Sequence, residues 1–189
     1  MPSASVEVFE AGTTALAKVA ITGGGRCNLT NSFEGISSLS AAYPRGDKLM
    51  KRLFRSFDQR SAWQWFENEG VRLVLQEDHC VFPASQDAME IVNTLLSGMR
   101  RAGVPLHTSH RVSGISPCLG GGYSISFEDG HRNGKPLGQS GATTPRQVAE
   151  PVESASDRRF FADIVIVTTG GSPKPSGLGI LDGLGLELV

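Results

Sequence analysis

Apolar and polar positions change period several times along this chain. Val6-Glu7-Val8-Phe9-Glu10 alternates as a half-buried strand does and stops at Ala11-Gly12. Val19-Ala20-Ile21 is a short apolar run that predicts a second strand, ended by three glycines. Leu49, Met50, Leu53, Phe54 and Phe57 fall at helical spacing behind Asp47, a candidate cap. Ser61-Ala62-Trp63-Gln64 has the form of a capping box and predicts a further helix that stops near Gly70. Its Trp63, Trp65 and Phe66 suit packing better than stacking on a ligand.

Val71, Leu73 and Leu75 alternate, and Cys80-Val81-Phe82 predicts a returning strand ended by Pro83. The clearest helix follows, with Ala88, Ile91, Val92, Leu95, Leu96 and Met99 on one face and Gly103 as its C′ residue. Val104 to Leu106, Val112 to Ile115, Tyr123 to Phe127 and Phe160 to Thr168 read as strands. Within the last, Ile164-Val165-Ile166-Val167 is continuously apolar, as a strand covered on both faces would be. Helix-then-strand order predicts an α/β sheet. Residues 118–168 form a small β-meander in this reading. Its excursion, 129–159, is rich in Gly, Pro, Ser, Thr and charge and is expected to be solvated and mobile.

Composition narrows the function. The chain has 189 residues, 18 basic and 19 acidic, for a formal net charge of −1. That balance argues against nucleic-acid or membrane-surface partners. The N-terminus carries no basic segment followed by an apolar core, and no apolar run approaches membrane length. Cys27, Cys80 and Cys118 are widely spaced and odd in number, which suggests neither a disulfide framework nor a metal site and fits a cytoplasmic setting.

The chemistry gathers around glycine. Gly23-Gly24-Gly25 precedes Arg26-Cys27-Asn28-Leu29-Thr30-Asn31. Backbone without Cβ approaches a ligand closely, and a guanidinium is a planar fork of donors suited to phosphate. This is not a Walker loop, because no Gly-Lys-Ser/Thr ends it. Gly170 and Gly171 close the apolar run at 164–167, where open α/β sheets bind ligands. Glu10 ends the first strand, the place of an acidic residue that accepts from a ribose hydroxyl. The Gly-x-Gly-x-x-Gly turn expected upstream of such a residue is absent, since the nine residues before Glu10 hold no glycine.

The segments Ala20-Ile21-Thr22-Gly23-Gly24-Gly25-Arg26-Cys27-Asn28-Leu29-Thr30-Asn31, Val81-Phe82-Pro83-Ala84-Ser85 and 162–174 resemble the BaiN/YhiN-like bacterial flavoproteins, an aminoacetone-oxidase-like group of FAD-binding enzymes. The resemblance covers nearly the whole chain outside 129–159, with Thr22 departing from the usual serine. It implies a partial FAD/NAD(P)-binding Rossmann-like domain of glutathione-reductase type that lacks the first strand, the diphosphate-binding turn, the inserted domain and the C-terminal segment.

Carried over by resemblance, Glu10 binds the adenosine ribose, and Gly24, Gly25, Arg26, Asn28 and Thr30 lie along FAD, Arg26 at its phosphate or ribityl chain. Val112 meets the adenine edge through its backbone, while Gly170 and Gly171 approach the cofactor closely. Cys27 belongs to the motif and suits packing. His79, His107, His110 and His131 show no spacing to a carboxylate that argues for a dyad, and no catalytic acid or base emerges. The resemblance implies hydride transfer from NAD(P)H through FAD to a small organic acceptor or oxygen. A non-catalytic nucleotide-binding module and an inactive truncated product are the alternatives.

Overall fold

The computed structural model describes residues 4–128, 159–170 and 175–186. Along the chain run β1 (Val8–Phe9), α1 (Ala17–Gly25), β2 (Thr30–Asn31), α2 (Leu39–Ala42), α3 (Asp47–Leu53) and α4 (Gln59–Asn68). Then come β3 (Leu73–Leu75), β4 (Cys80–Pro83), α5 (Ala88–Arg101), β5 (Leu106–His107), β6 (Val112–Pro117), β7 (Tyr123–Phe127) and β8 (Arg159–Ala162). A 3₁₀ helix over Pro175–Leu184 follows. Two compact units result, one from Met1–Ala15 with Val104–Val189, the other from Leu16–Gly103. No described helix is long and apolar enough to cross a membrane.

In the first unit β1 and β5 pair in parallel, Val8 beside Leu106 and Phe9 beside His107. A parallel pair joined through intervening helices is the α/β arrangement that the pattern predicts. β6, β7 and β8 form an antiparallel sheet in which Ile115 and Ile125 are paired and buried. The 129–159 excursion lies outside the described residues except for Arg159, which opens β8. One expectation fails here. Ile164–Val167 forms no strand ladder among the described residues, and Ile164 and Ile166 are 70% and 81% exposed. Apolar content alone does not make a buried strand; it needs neighbours on both edges and both faces.

The second unit is built around α5. Asp87 caps it by accepting the Met89 N–H at 2.8 Å, and Gly103, at φ +67°, donates to the Arg100 carbonyl. Ala88 and Ile91 on its apolar face join Cys27, Phe66 and Val71 in one core, with Val19, Trp65 and Leu95 packed against it. β2, β4 and β3 form an antiparallel sheet in that order. Pro83 lies within β4 rather than beyond it, past the stretch where β2 pairs, so its missing N–H interrupts no ladder on that edge.

Three local expectations are corrected. Val19-Ala20-Ile21 is helical, part of α1, which packs on α5. A short apolar run is ambiguous by period, and here a helix puts Val19 on the core while Ile21 is 74% exposed. α4 is capped by Asp58, not Ser61: the Ser61 N–H and hydroxyl both donate to Asp58 Oδ1, at 2.8 and 2.9 Å. α3 begins at Asp47 behind Gly46, and the apolar stripe of Leu49, Leu53 and Phe57 is exposed rather than packed.

Candidate functional site

The Gly-rich loop is a broken helix end. Thr22 leaves helical geometry (φ −64°, ψ 151°), and Gly23 and Gly24 turn left-handed. The N–H groups of Arg26 and Cys27 then return to the Thr22 carbonyl, closing the turn. Cys27 is buried in the core, which fixes the loop from beneath. Beyond it the chain docks on β4: Leu29 N–H donates to Val81 O at 2.8 Å, and Thr30 and Asn31 pair with Val81 and Cys80. The glycines thus lie between α1 on one side and a buried residue followed by a short ladder on the other.

Gly23 is the position where this packing tolerates no side chain. A Cβ there would meet Asn28 N at 2.8 Å and the Phe82 ring at 2.9 Å. Around Gly24 and Gly25 the space is open, so their requirement for glycine is the left-handed backbone and not crowding. Open space beside a left-handed backbone leaves room for a ligand to approach it.

Arg26 stands on this platform. Its guanidinium carbon lies 4.4 Å over the centre of the Phe82 ring, Nε–H donates to Gly23 O at 3.1 Å, and Nη1 lies 3.4 Å from Gln86 Oε1. The residue is exposed and has no carboxylate partner among the described residues. A guanidinium carries five N–H donors in a fixed fork. With only two engaged, the remaining donors and the full positive charge stay open to an anion.

Other expected site residues fall as follows. Asn28 Nδ2 donates to Cys80 Sγ at 3.2 Å, which ties the loop to β4. Thr30 is half-buried in β2. In the first unit, Glu10 follows β1 and accepts the Gly12 N–H on Oε1 at 2.6 Å, while its backbone carbonyl takes the His110 N–H. Val112 opens β6, paired with Phe127 beside a bulge. Gly170 is left-handed (φ +80°) but exposed, at the end of a segment that is not the expected buried strand. Gly171 lies outside the described residues.

The histidines differ from expectation at one point. His107 Nε2 lies 2.7 Å from Glu7 Oε2, a histidine–carboxylate pair a hundred positions apart in sequence. Parallel pairing of β1 with β5 brings them together, and Phe9 stacks on His107 at 4.9 Å. His79, left-handed in the turn before β4, shares one nitrogen, Nδ1, between Ser32 Oγ at 3.4 Å and Glu34 Oε2 at 3.9 Å. A Ser-His-acid relay uses both ring nitrogens, so this is not one. His131 lies outside the described residues. No group of three or more His, Cys, Asp or Glu among the described residues is arranged to hold a metal.

Phe82 and Gln86 are the contacts of Arg26 that the sequence does not announce. Phe82 stood in a quoted motif, but its partnership with Arg26 is tertiary and leaves no local signal.

The parallel β1–β5 pair in a chain of mixed helices and strands agrees with a Rossmann-like α/β class. The family model described as the HI0933-like protein Rossmann domain matches residues 1–180. The chain belongs to this flavoprotein family.

Proposed function

We propose that this chain serves a BaiN/YhiN-like flavin-dependent oxidoreductase, and that Arg26 binds the phosphates of FAD. The observation that carries the reading is an exposed guanidinium held by a ring, a carbonyl and an amide, none of which neutralises it. The residues present fit the group: a free cation, open left-handed glycines at 24 and 25, and polar Asn28 and Thr30 on the same loop. When bound, FAD supplies two-electron redox chemistry, with NADH or NADPH as donor and a small organic molecule or oxygen as acceptor.

Arg26 offsets phosphate charge and fixes the position of the ligand, since a cation on a rigid support loses little freedom on binding. Gly24 and Gly25 let main chain come close, and Asn28 and Thr30 supply polar groups beside it. Glu10 and Val112 are proposed each by itself, Glu10 as an acceptor for the adenosine ribose through the oxygen not given to Gly12 and Val112 as a backbone contact to adenine. Gly170 and Gly171 are close-approach positions in this reading.

The test is a titration of the purified chain with FAD, FMN and ADP, followed by the visible flavin spectrum and by calorimetry. The proposal expects FAD to bind, with affinity falling at least about tenfold in Arg26→Ala. A folded wild-type chain that binds no FAD overturns it. Equal binding of ADP and FAD with an unperturbed flavin spectrum points instead to a non-catalytic nucleotide module.

A further inference from the structure

Gln86 is the third partner of Arg26, sixty residues away in sequence. It follows β4 in left-handed geometry (φ +56°), with both its backbone N–H and its Nε2 donating to Pro83 O at 2.9 Å. Committing Nε2 to a carbonyl leaves Oε1 as the end of the amide that faces Arg26. That oxygen lies 3.4 Å from Arg26 Nη1 and 3.5 Å from Gln76 Nε2. It is a long, neutral acceptor.

The carboxylates nearby are engaged elsewhere. Asp87, the next residue, gives Oδ1 to the Met89 N–H as the cap of α5, and Glu90 accepts from Ser85 Oγ. Neither pairs with Arg26, and among the described residues the groups that contact its guanidinium are uncharged. A carboxylate at the Gln86 position would reach the same donors with the same chain length. Two charge-assisted hydrogen bonds between a fork and a carboxylate are far stronger than one to an amide.

We infer that Gln86 is a positioning residue that sets the anion specificity of the site: its amide aims Arg26 without neutralising it and so keeps the charge for a phosphate-bearing ligand. This rests on the reading of Arg26 as a phosphate-binding residue. Orientation and charge are supplied separately, the first by Phe82, Gly23 O and Gln86, the second left to the ligand.

The experiment uses the full chain with FAD and inorganic pyrophosphate as probes. It compares wild type, Gln86→Glu, Gln86→Met, Arg26→Ala and the Arg26→Ala/Gln86→Glu double variant, each checked by circular dichroism and melting. Gln86→Glu is expected to weaken both ligands about tenfold or more, because the new carboxylate competes for the guanidinium. Gln86→Met, which keeps size without charge, is expected to lose no more than about threefold. In the Arg26→Ala background, Gln86→Glu is expected to add little. A purely structural role predicts the reverse order, since Glu retains an acceptor and Met does not. Gln86→Glu binding like wild type, or Gln86→Met losing as much as Arg26→Ala, overturns the inference; the second comparison decides it if Gln86→Glu does not fold. If wild type binds neither probe, the phosphate reading itself falls and takes this inference with it. Binding that needs Arg26 but ignores charge at 86 removes the inference alone.

Discussion

The Arg26 guanidinium rests on the ring of Phe82, 4.4 Å from its centre, and Phe82 itself is only 3% exposed. A buried aromatic that offers one face to a surface cation links the core of the unit to the chemistry of its loop. Phe82→Leu keeps an apolar side chain but removes the π face. It is expected to weaken FAD binding about two- to fivefold, the equivalent of about 0.5–1 kcal/mol of cation–π attraction at an exposed site. Calorimetric titration beside a melting curve separates this from the accompanying loss of buried area.

The glycines of the loop are not equivalent. Gly23→Ala pushes a Cβ against Asn28 N and the Phe82 ring and also demands a left-handed alanine, whereas Gly24→Ala meets only the second cost. Gly24→Ala is expected to destabilise by about 1–2 kcal/mol. Gly23→Ala is expected to cost more than that, because main chain must move. Urea unfolding of the two variants reads the difference; equal midpoints would contradict this account of the packing.

Asp58 provides a pH test. Its carboxyl is held below the usual carboxylate range, first by the Ser61 backbone N–H and then by the Ser61 hydroxyl. A group whose folded value is depressed stabilises the fold fully above its unfolded value, and that contribution is lost as pH falls through the folded one. Wild-type stability is therefore expected to decline more steeply than that of Asp58→Asn between about pH 5 and about pH 3. Urea midpoints across that range measure it, and parallel curves would count against the cap.

Glu10 tests the adenosine contact proposed for it. Its Oε1 is taken by the Gly12 N–H, leaving the other oxygen for a ribose hydroxyl. Glu10→Ala is expected to weaken FAD by about ten- to a hundredfold, in line with about 1.5–3 kcal/mol for hydrogen bonds to a charged group, and to leave FMN unchanged because FMN has no adenosine. Equal losses for both flavins would remove Glu10 from the proposed adenosine contacts.

What the sequence makes legible follows from how local the cause is. α5 is plain from its apolar face, its Gly103 terminator and its length, and β3 with β4 from alternation around a turn. The loop is legible as a break in the chain's regular structure, since three consecutive glycines favour the left-handed turn found before Arg26. Its conformation is not legible, because Val19–Ile21 becomes helical only by packing on α5. Asp58 and Ser61 are both competent caps, and which one serves depends on where the chain enters α4. The Glu7–His107 pair requires the β1–β5 register, and the Arg26–Phe82–Gln86 arrangement requires β4 to lie beside the loop. Neither has a sequence period. Ile164–Val167 has the composition of a buried strand, yet burial is a property of its neighbours.

The most direct measurement is a crystal structure of the chain with FAD bound. The account predicts phosphate oxygens of the cofactor within hydrogen-bonding distance of the Arg26 guanidinium, with that side chain still lying on Phe82. Cofactor density elsewhere, with Arg26 turned to solvent and touching no ligand atom, would contradict it.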